Sequence, residues 1–254
     1  MPYKVNWLDE IIARKRSDIA KMHAEEFRSR AERRDDFRDF RVAIRRRSGR
    51  VRVIAEAKSA SPSAGVIAAN YDPVGIAMRY KENGADAVSV LTEQNYFGGR
   101  PEHLTAVREA VALPILRKDF IIDERQIIES VAIGADAILL IVAALEEGQL
   151  RELYDRATAN KLSVLVEVHT RNEIGMAIAA GAKIIGINNR NLATLEVDLA
   201  TAEKLLPEIP DGITIVSESG IRTAADLKRM TALSIDALLV GEGLMRGEIS
   251  IKNL

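Results

Sequence analysis

A glutamate and a lysine two residues apart close an apolar run in VIAEAKSASPSAG, residues 53–65. On an extended chain Glu56 and Lys58 share parity, so both side chains leave the same face. A turn of Ser, Pro and Gly then stops the run. Opposite charges at the end of a buried strand cost several kcal/mol unless they are paired or used. Similar residues end other apolar runs: Glu93 in LTEQNYF, Lys118 in LRKDF, Glu167 in LVEVH, and Asn188, Asn189 and Arg190 in INNRN. Glu218, Ser219 and Gly220 follow in SESG, and Gly241, Glu242 and Gly243 in VGEG. One such pair is compatible with a packing ion pair. Two lysines and several glutamates converging on one space are better read as groups tuning each other's acidity for proton transfer. Glycines where a strand turns into a helix expose N–H groups that cradle an anion. SESGIRTAADL and VGEGLM both have that form, and Ser61 and Ser63 supply hydroxyl donors or serve only as turn formers.

These residues must be positioned by the elements they terminate. Short β-rich apolar runs begin near Val51, Ala87, Pro114, Ala137, Ser163, Lys183, Ile213 and Ala237. Stretches of helical period lie between them, including Asp72–Asn83, Asp123–Ile133, Leu145–Asn160 and Ala200–Leu206. Eight strands alternating with helices pair in parallel. An internal repeat supports closure: GADAVSVL at Gly84, GADAILLI at Gly134, GAKIIGIN at Gly181 and SIDALLVG at Ser234. Repetition at every second strand suits a closed barrel, in which alternate strands fill each interior layer. The competing doubly wound sheet lacks a GxGxxG or GxxxxGK[ST] after any strand. The expected fold is a (β/α)8 TIM barrel spanning residues 1–254 as a single domain. Active sites of such barrels lie at the C-terminal strand ends, and phosphate pockets at the loops after strands 7 and 8. Leu8, Ile11, Ile12, Ile19 and Met22 predict an amphipathic helix, and Phe37, Phe40 and Ile44 a second. Residues 1–48 therefore read as an N-terminal helical extension, here expected over the barrel mouth.

The chain has 254 residues, 47% hydrophobic, with formal net charge −1 and no cysteine. Neither a nucleic-acid nor a membrane partner fits that balance, since both need a persistent basic excess. Disulfides and thiolate metal sites are excluded. No apolar run long enough to span a bilayer occurs, and a cytoplasmic protein is expected. His23, His103 and His169 lie far apart and form no metal-ligand pair. Arg45-Arg46-Arg47 reads as a solvated helix end rather than an anionic partner's site. Residue chemistry thus reaches a barrel enzyme acting on a phosphorylated small molecule through lysine and glutamate. It leaves open a Schiff base on Lys58 or Lys118, as in barrel aldolases.

In order along the chain, IAEAKSASPSAG, SVLTEQNYFGG, PILRKDFIID, ADAILLIVAAL, LVEVHTRNE, IGINNRNLATLEVDL, VSESGI and LLVGEGLM resemble the indole-3-glycerol phosphate synthase family of tryptophan biosynthesis. The resemblance implies ring closure of 1-(2-carboxyphenylamino)-1-deoxyribulose 5-phosphate with loss of carbon dioxide and water, without cofactor or metal. It implies Lys118 as general acid, Lys58 as the binder of the anthranilate carboxylate, Glu167 as a proton-shuttling carboxylate and Glu56 as partner of Lys58. Asn188 and Glu218 would hold substrate hydroxyls or position the lysines. Ser61, Ser219, Gly220, Gly241 and the backbone of Glu242 would take the phosphate, with Arg190 also at the binding site. Phe97, Phe120, Leu139 and Leu192 would pack around the anilino ring. Ser59 and Ala64 stand where many relatives carry basic residues. A monomer is the expected state.

Overall fold

The computed structural model describes residues 6–46 and 49–253. Three helices precede the barrel: α1 (Trp7–Ile19), α2 (Glu25–Glu32) and α3 (Phe40–Ile44). The eight barrel strands are β1 (Arg52–Ala57), β2 (Ala87–Leu91), β3 (Ile115–Lys118), β4 (Ala137–Ile141), β5 (Ser163–Val168), β6 (Ile184–Asn188), β7 (Thr214–Glu218) and β8 (Ala237–Val240). Each pairs in parallel with its sequence neighbours, and β8 pairs back onto β1, which closes the barrel. Every strand starts within a residue or so of its expected place. The crossovers are α4 (Pro73–Glu82), α5 (Pro101–Ala110), α6 (Glu124–Ile133), α7 (Glu147–Ala159), α8 (Arg171–Ala179), α9 (Ala200–Leu205), α10 (Ala224–Thr231) and the short α11 (Glu242–Met245). Side chains of Asp72, Asp123, Thr170 and Thr223 accept backbone N–H groups at the starts of α4, α6, α8 and α10, satisfying donors a helix leaves free there. Helix α2 buries none of its residues, so it carried no apolar periodicity to read.

The repeat has a structural cause at the N-terminal end of the barrel. Its third residue is aspartate in three copies, and each accepts an N–H from the first or second residue of the preceding odd strand. Asp86 takes Val53 N–H at 2.8 Å, Asp136 takes Ile115 N–H at 2.9 Å and Asp236 takes Ile215 N–H at 2.8 Å. Arginines neutralise two of these carboxylates: Arg50 and Arg52 at Asp86, and Arg34 and Arg108 at Asp136. Asp136 is 1% exposed, so both arginines are needed to offset its lost hydration.

The N-terminal segment serves both ends of the barrel. Trp7, Leu8 and Ile11 of α1 line the mouth. At the other end Arg38 donates to the carbonyls of Val111 and Leu113, and Arg41 to that of Gly212. Phe40 and Ile44 of α3 are fully buried there. In the arginine run, the Arg46 N–H binds Asp236 at 2.9 Å, while Arg47 lies outside the described residues, as do residues 1–5 and 48. Helix α1 is held by a buried ion network at the end of β3. Lys15 Nζ lies 2.7 Å from Asp119 Oδ1, and Arg117 joins Asp119 at 3.2 Å to Glu129 at 2.6 Å.

Candidate active site

A cleft with about 1110 Å³ of empty space, open mouth included, sits at the C-terminal strand ends, and of the strand-end residues singled out all but Glu93, Asn189 and Gly243 line it. Glu56 lies one residue from the end of β1, with 2.7 Å between Lys58 Nζ and Glu56 Oε1. Lys118, the last residue of β3, lies between two carboxylates, 3.1 Å from Glu167 Oε2 and 3.1 Å from Glu218 Oε2. Glycines make this crowding possible. A Cβ on Gly186 of β6 would overlap the Glu218 carboxylate, and one on Gly241 would overlap Glu56 and press on Lys58 Nζ. The residues deliver their charges from β1, β3, β5 and β7, the strands whose side chains alternate inward at this level.

Burial and neighbours split the acidities of these groups. Burial alone would push Glu56 and Glu167 up, but nearby cations outweigh it: Lys58 then Lys118 for Glu56, and Lys118 then His169 for Glu167. Both carboxyls are held below the ordinary glutamate range. Glu218 goes the other way. Burial raises it and the Glu167 charge adds to that, against the pull of Lys118, leaving it at about 7. Although Lys118 is 3.1 Å away, neither Glu218 oxygen receives a well-aligned hydrogen bond among the described residues. Lys118 is raised: burial disfavours its ammonium, and the charges of Glu167, Glu218 and Glu56 overcome that. An ionised carboxylate, a half-titrated carboxyl and an ammonium thus meet within one hydrogen-bonding radius, the separation of acidities that acid–base work needs.

The opposite side of the cleft is built for an anion. Ser219 and Gly220 both have positive φ, +66° and +88°, which turns the chain sharply after β7. Any side chain at 220 would also strike Val197 and Leu199. The N–H groups of Gly220, Ile221, Glu242 and Gly243 donate to no partner among the described residues. The Glu242 side chain is drawn off by Arg222 at 3.0 Å and Arg246 at 3.2 Å. Arg190 is half-buried, its Nη1 bound to Leu195 O at 2.9 Å. Ser61 Oγ holds the first loop by accepting Ala64 N–H at 3.2 Å. Ser59 ties that loop to the next strand's loop through Phe97 O at 2.9 Å, a neutral staple.

Two strand-end residues have other work. Glu93 accepts the N–H groups of Asn95, Tyr96 and Phe97 and shapes the β2 loop. Asn189 is buried, donating to Ser217 Oγ and Glu218 O and accepting Ala202 N–H, which staples β6 to β7 and α9. Trp7, Leu8, Ile11, Leu195 and Arg222 line the cleft without having been expected there. Arg222 follows the glycine turn directly, the one signal that pointed to it. His169 was weighed only as a metal ligand, yet its Nε2 lies 3.5 Å from Glu167 Oε1.

A closed (β/α)8 barrel whose mouth joins lysine–glutamate sets to an anion-binding turn defines an acid–base enzyme for a small anionic substrate. The indole-3-glycerol phosphate synthase family model matches residues 8–254. A protein of that name from Chlorobium luteolum is 50% identical over 244 residues, covering 94% of this chain and 93% of its own. Those from Chloroherpeton thalassium and Acetivibrio thermocellus are each 46% identical, over 250 and 245 residues, covering 96% of both chains and 94% of both chains respectively. Among solved structures, the N-acetylmannosamine-6-phosphate 2-epimerase from Clostridium perfringens matches with TM-score 0.62 at 16% identity, over 85% of this chain and 94% of that one. KGPDC from Streptococcus mutans matches at 0.61 and 12%, over 81% and 95%. These two share the fold. The chain belongs to the indole-3-glycerol phosphate synthase family. Its reaction is that of a carboxy-lyase of tryptophan biosynthesis, converting 1-(2-carboxyphenylamino)-1-deoxyribulose 5-phosphate to indole-3-glycerol phosphate with loss of carbon dioxide and water.

Proposed function

We propose that Lys118, Glu167, Glu218, Lys58 and Glu56 divide the proton transfers of this reaction among themselves. The observation that carries the reading is Lys118 held between two buried carboxylates of opposite tendency. Attack of the ring carbon on the ribulose carbonyl builds an alkoxide, a stronger base than even this lysine's amine. Proton transfer from Lys118 is therefore downhill, and Glu218, poised at about 7, can reprotonate the lysine. Lys58 holds the anthranilate carboxylate until it leaves, and its partner Glu56 keeps the ammonium in place. Glu167 accepts the C–H proton in dehydration. Asn188, beside Glu167, orients a substrate hydroxyl. The phosphate lies on the N–H groups of Gly220, Ile221, Glu242 and Gly243 with Ser61, Ser219, Gly241 and Arg190 around it, and Phe97, Phe120, Leu139 and Leu192 enclose the anilino ring. Helix α1 completes the wall of the mouth through Trp7, Leu8 and Ile11.

A Schiff base is disfavoured because a nucleophilic amine must be neutral. Lys118 is held as ammonium by Glu167, Glu218 and Glu56, and Lys58 is paired with Glu56. The same reading has the enzyme acting in the cytoplasm as a monomer, which light scattering after size exclusion checks. The deciding assay incubates the purified protein with the carboxyphenylamino substrate and follows indole fluorescence. Wild type develops signal without added metal, and Lys118→Ala loses it by about 10²-fold or more. A Lys118→Ala protein turning over near wild type overturns the assignment of the acid, and borohydride trapping of a substrate adduct would reinstate the Schiff base.

A further inference from the structure

The reaction has a proton stoichiometry that the site must meet. The carbonyl oxygen gains a proton, the departing hydroxyl gains another, and a C–H proton is lost as the new ring double bond forms. The carboxylate leaves as neutral carbon dioxide, so one proton enters per turnover and the charges balance. Glu167 and Glu218 line the mouth but are only 1% exposed each, and a substrate filling the mouth would shut them off from water on that side. A route for that proton is needed.

His169 stands on such a route, two residues beyond Glu167. Its Nδ1 lies 3.2 Å from Glu173 Oε2, which also accepts the His169 backbone N–H at 2.7 Å. An anionic acceptor there requires the proton on Nδ1, and Nε2 lies 3.5 Å from Glu167 Oε1. Nε2 is buried and has no hydrogen-bond partner among the described residues, with Glu167 Oε1 nearby while Lys118 binds Oε2. A histidine serving only to brace α8 would need no such second carboxylate. His169 also lines a second cleft, with Thr170, Asn188, Asn189, Glu196 and Asp198. Only Asn188 is common to the linings of both clefts.

We propose that His169 is a relay and positioning residue that brings the proton consumed in each turnover from the second cleft to Glu167. This rests on the reading of Glu167 as a proton carrier. The imidazolium gives its Nε2 proton to Glu167 Oε1, and Glu167 passes that proton on toward Lys118 and the substrate. The neutral ring, its Nδ1 proton released from Glu173, then swings the bared Nε2 out to the second cleft, takes a proton from water there and swings back. Ring and carboxylate finish as they began, with one proton moved inward. The 3.5 Å separation is longer than a working hydrogen bond, and such contacts tighten when substrate is bound. The charged groups facing the ring are acidic: Glu167 and Glu173 from β5 and α8, Glu218 from β7, and Glu196 and Asp198 around the second cleft, with Lys118 reaching it only through Glu167. Burial disfavours the imidazolium, but hydrogen bonding to Glu173 and the charge of Glu167 outweigh it and raise its pKa, which favours the protonated ring that the relay needs.

The test is steady-state kinetics of His169→Gly and Glu173→Gln with exogenous imidazole. For His169→Gly, kcat should fall by about tenfold or more with KM held within about twofold, and imidazole should restore kcat saturably. The wild-type solvent deuterium isotope effect on kcat should rise in Glu173→Gln, whose kcat falls less. An unchanged kcat, or a loss in folded His169→Gly that imidazole does not relieve, overturns the relay. If His169→Gly fails to fold, an unchanged kcat and isotope effect in Glu173→Gln overturns it instead. Glu167→Gln is measured in parallel. Full activity there refutes the underlying role of Glu167, whereas an inactive Glu167→Gln beside normal His169→Gly turnover refutes the relay alone.

Discussion

Replacing Glu218 with glutamine should stabilise the protein while disabling it, and the gain should depend on pH. An ordinary glutamate titrates near 4.5 and Glu218 in the folded barrel at about 7. Between those values the folded state binds the proton that the unfolded chain has released, so stability falls as pH rises through the interval. At about 1.4 kcal/mol per pH unit the penalty reaches roughly 3 kcal/mol above pH 7 and vanishes below about pH 4.5. The cause is the placement of the carboxylate: 1% exposed, near Glu167, and without an aligned hydrogen bond even though Lys118 is 3.1 Å away. Glutamine keeps the shape and removes the charge. Lys118 retains Glu167 as its partner. Denaturant unfolding of wild type and Glu218→Gln at pH 8 and pH 4.5 measures the difference. We expect the variant to be more stable by about 2–3 kcal/mol at pH 8 and equal within about 0.5 kcal/mol at pH 4.5, with kcat reduced by about 10²-fold. A gap that does not change with pH, or a variant less stable at pH 8, would refute the reasoning that Glu218 is a strained, charge-crowded group.

Two other perturbations separate wall from chemistry. Lys15→Ala removes a cation from Asp119 Oδ1, leaving the buried carboxylate to Arg117 and Thr92; we expect a loss of about 3 kcal/mol by denaturant unfolding and a raised KM as α1 loosens from the mouth, and an unchanged KM would show that α1 does not serve the site. Gly186→Ala puts a methyl where the Glu218 carboxylate lies and presses on Leu165; kcat should fall by about 10²-fold through misplacement of Glu218, and turnover within about twofold of wild type would show that Glu218 has no positional role.

Strand starts, the closed topology and the mouth residues were legible because each rests on a local property. Side chains alternate with period two along a strand, and parallel barrels put every strand's C-terminal end on one face. Glu56, Lys58, Lys118, Glu167, Asn188 and Glu218 could therefore be brought together without coordinates. The aspartate of the repeat was visible as a letter, but its task at the N-terminal end was not. Asp136 meets Arg34, 102 residues away, and nothing local announces that partner. Glu93 and Asn189 had the same appearance as the residues of the mouth, and only the folded loops turn Glu93 to backbone N–H groups and Asn189 to Ser217, Glu218 and Ala202.

By itself the amino-acid order determined the barrel, its polarity and the chemical types gathered at one end, because hydrophobic period and turn chemistry act over a few residues. Tertiary structure alone decided how the charges divide. Lys118 and Glu167 are 49 residues apart, and whether a carboxyl is depressed like Glu167 or raised like Glu218 depends on distances, burial and aligned donors set by the whole barrel. The same holds for His169 between two clefts, and for an N-terminal segment that lines the mouth with α1 while α3 and its neighbouring arginines close the opposite end. Electrostatic energy varies with separation and solvation, and both are properties of the closed fold rather than of any stretch within it.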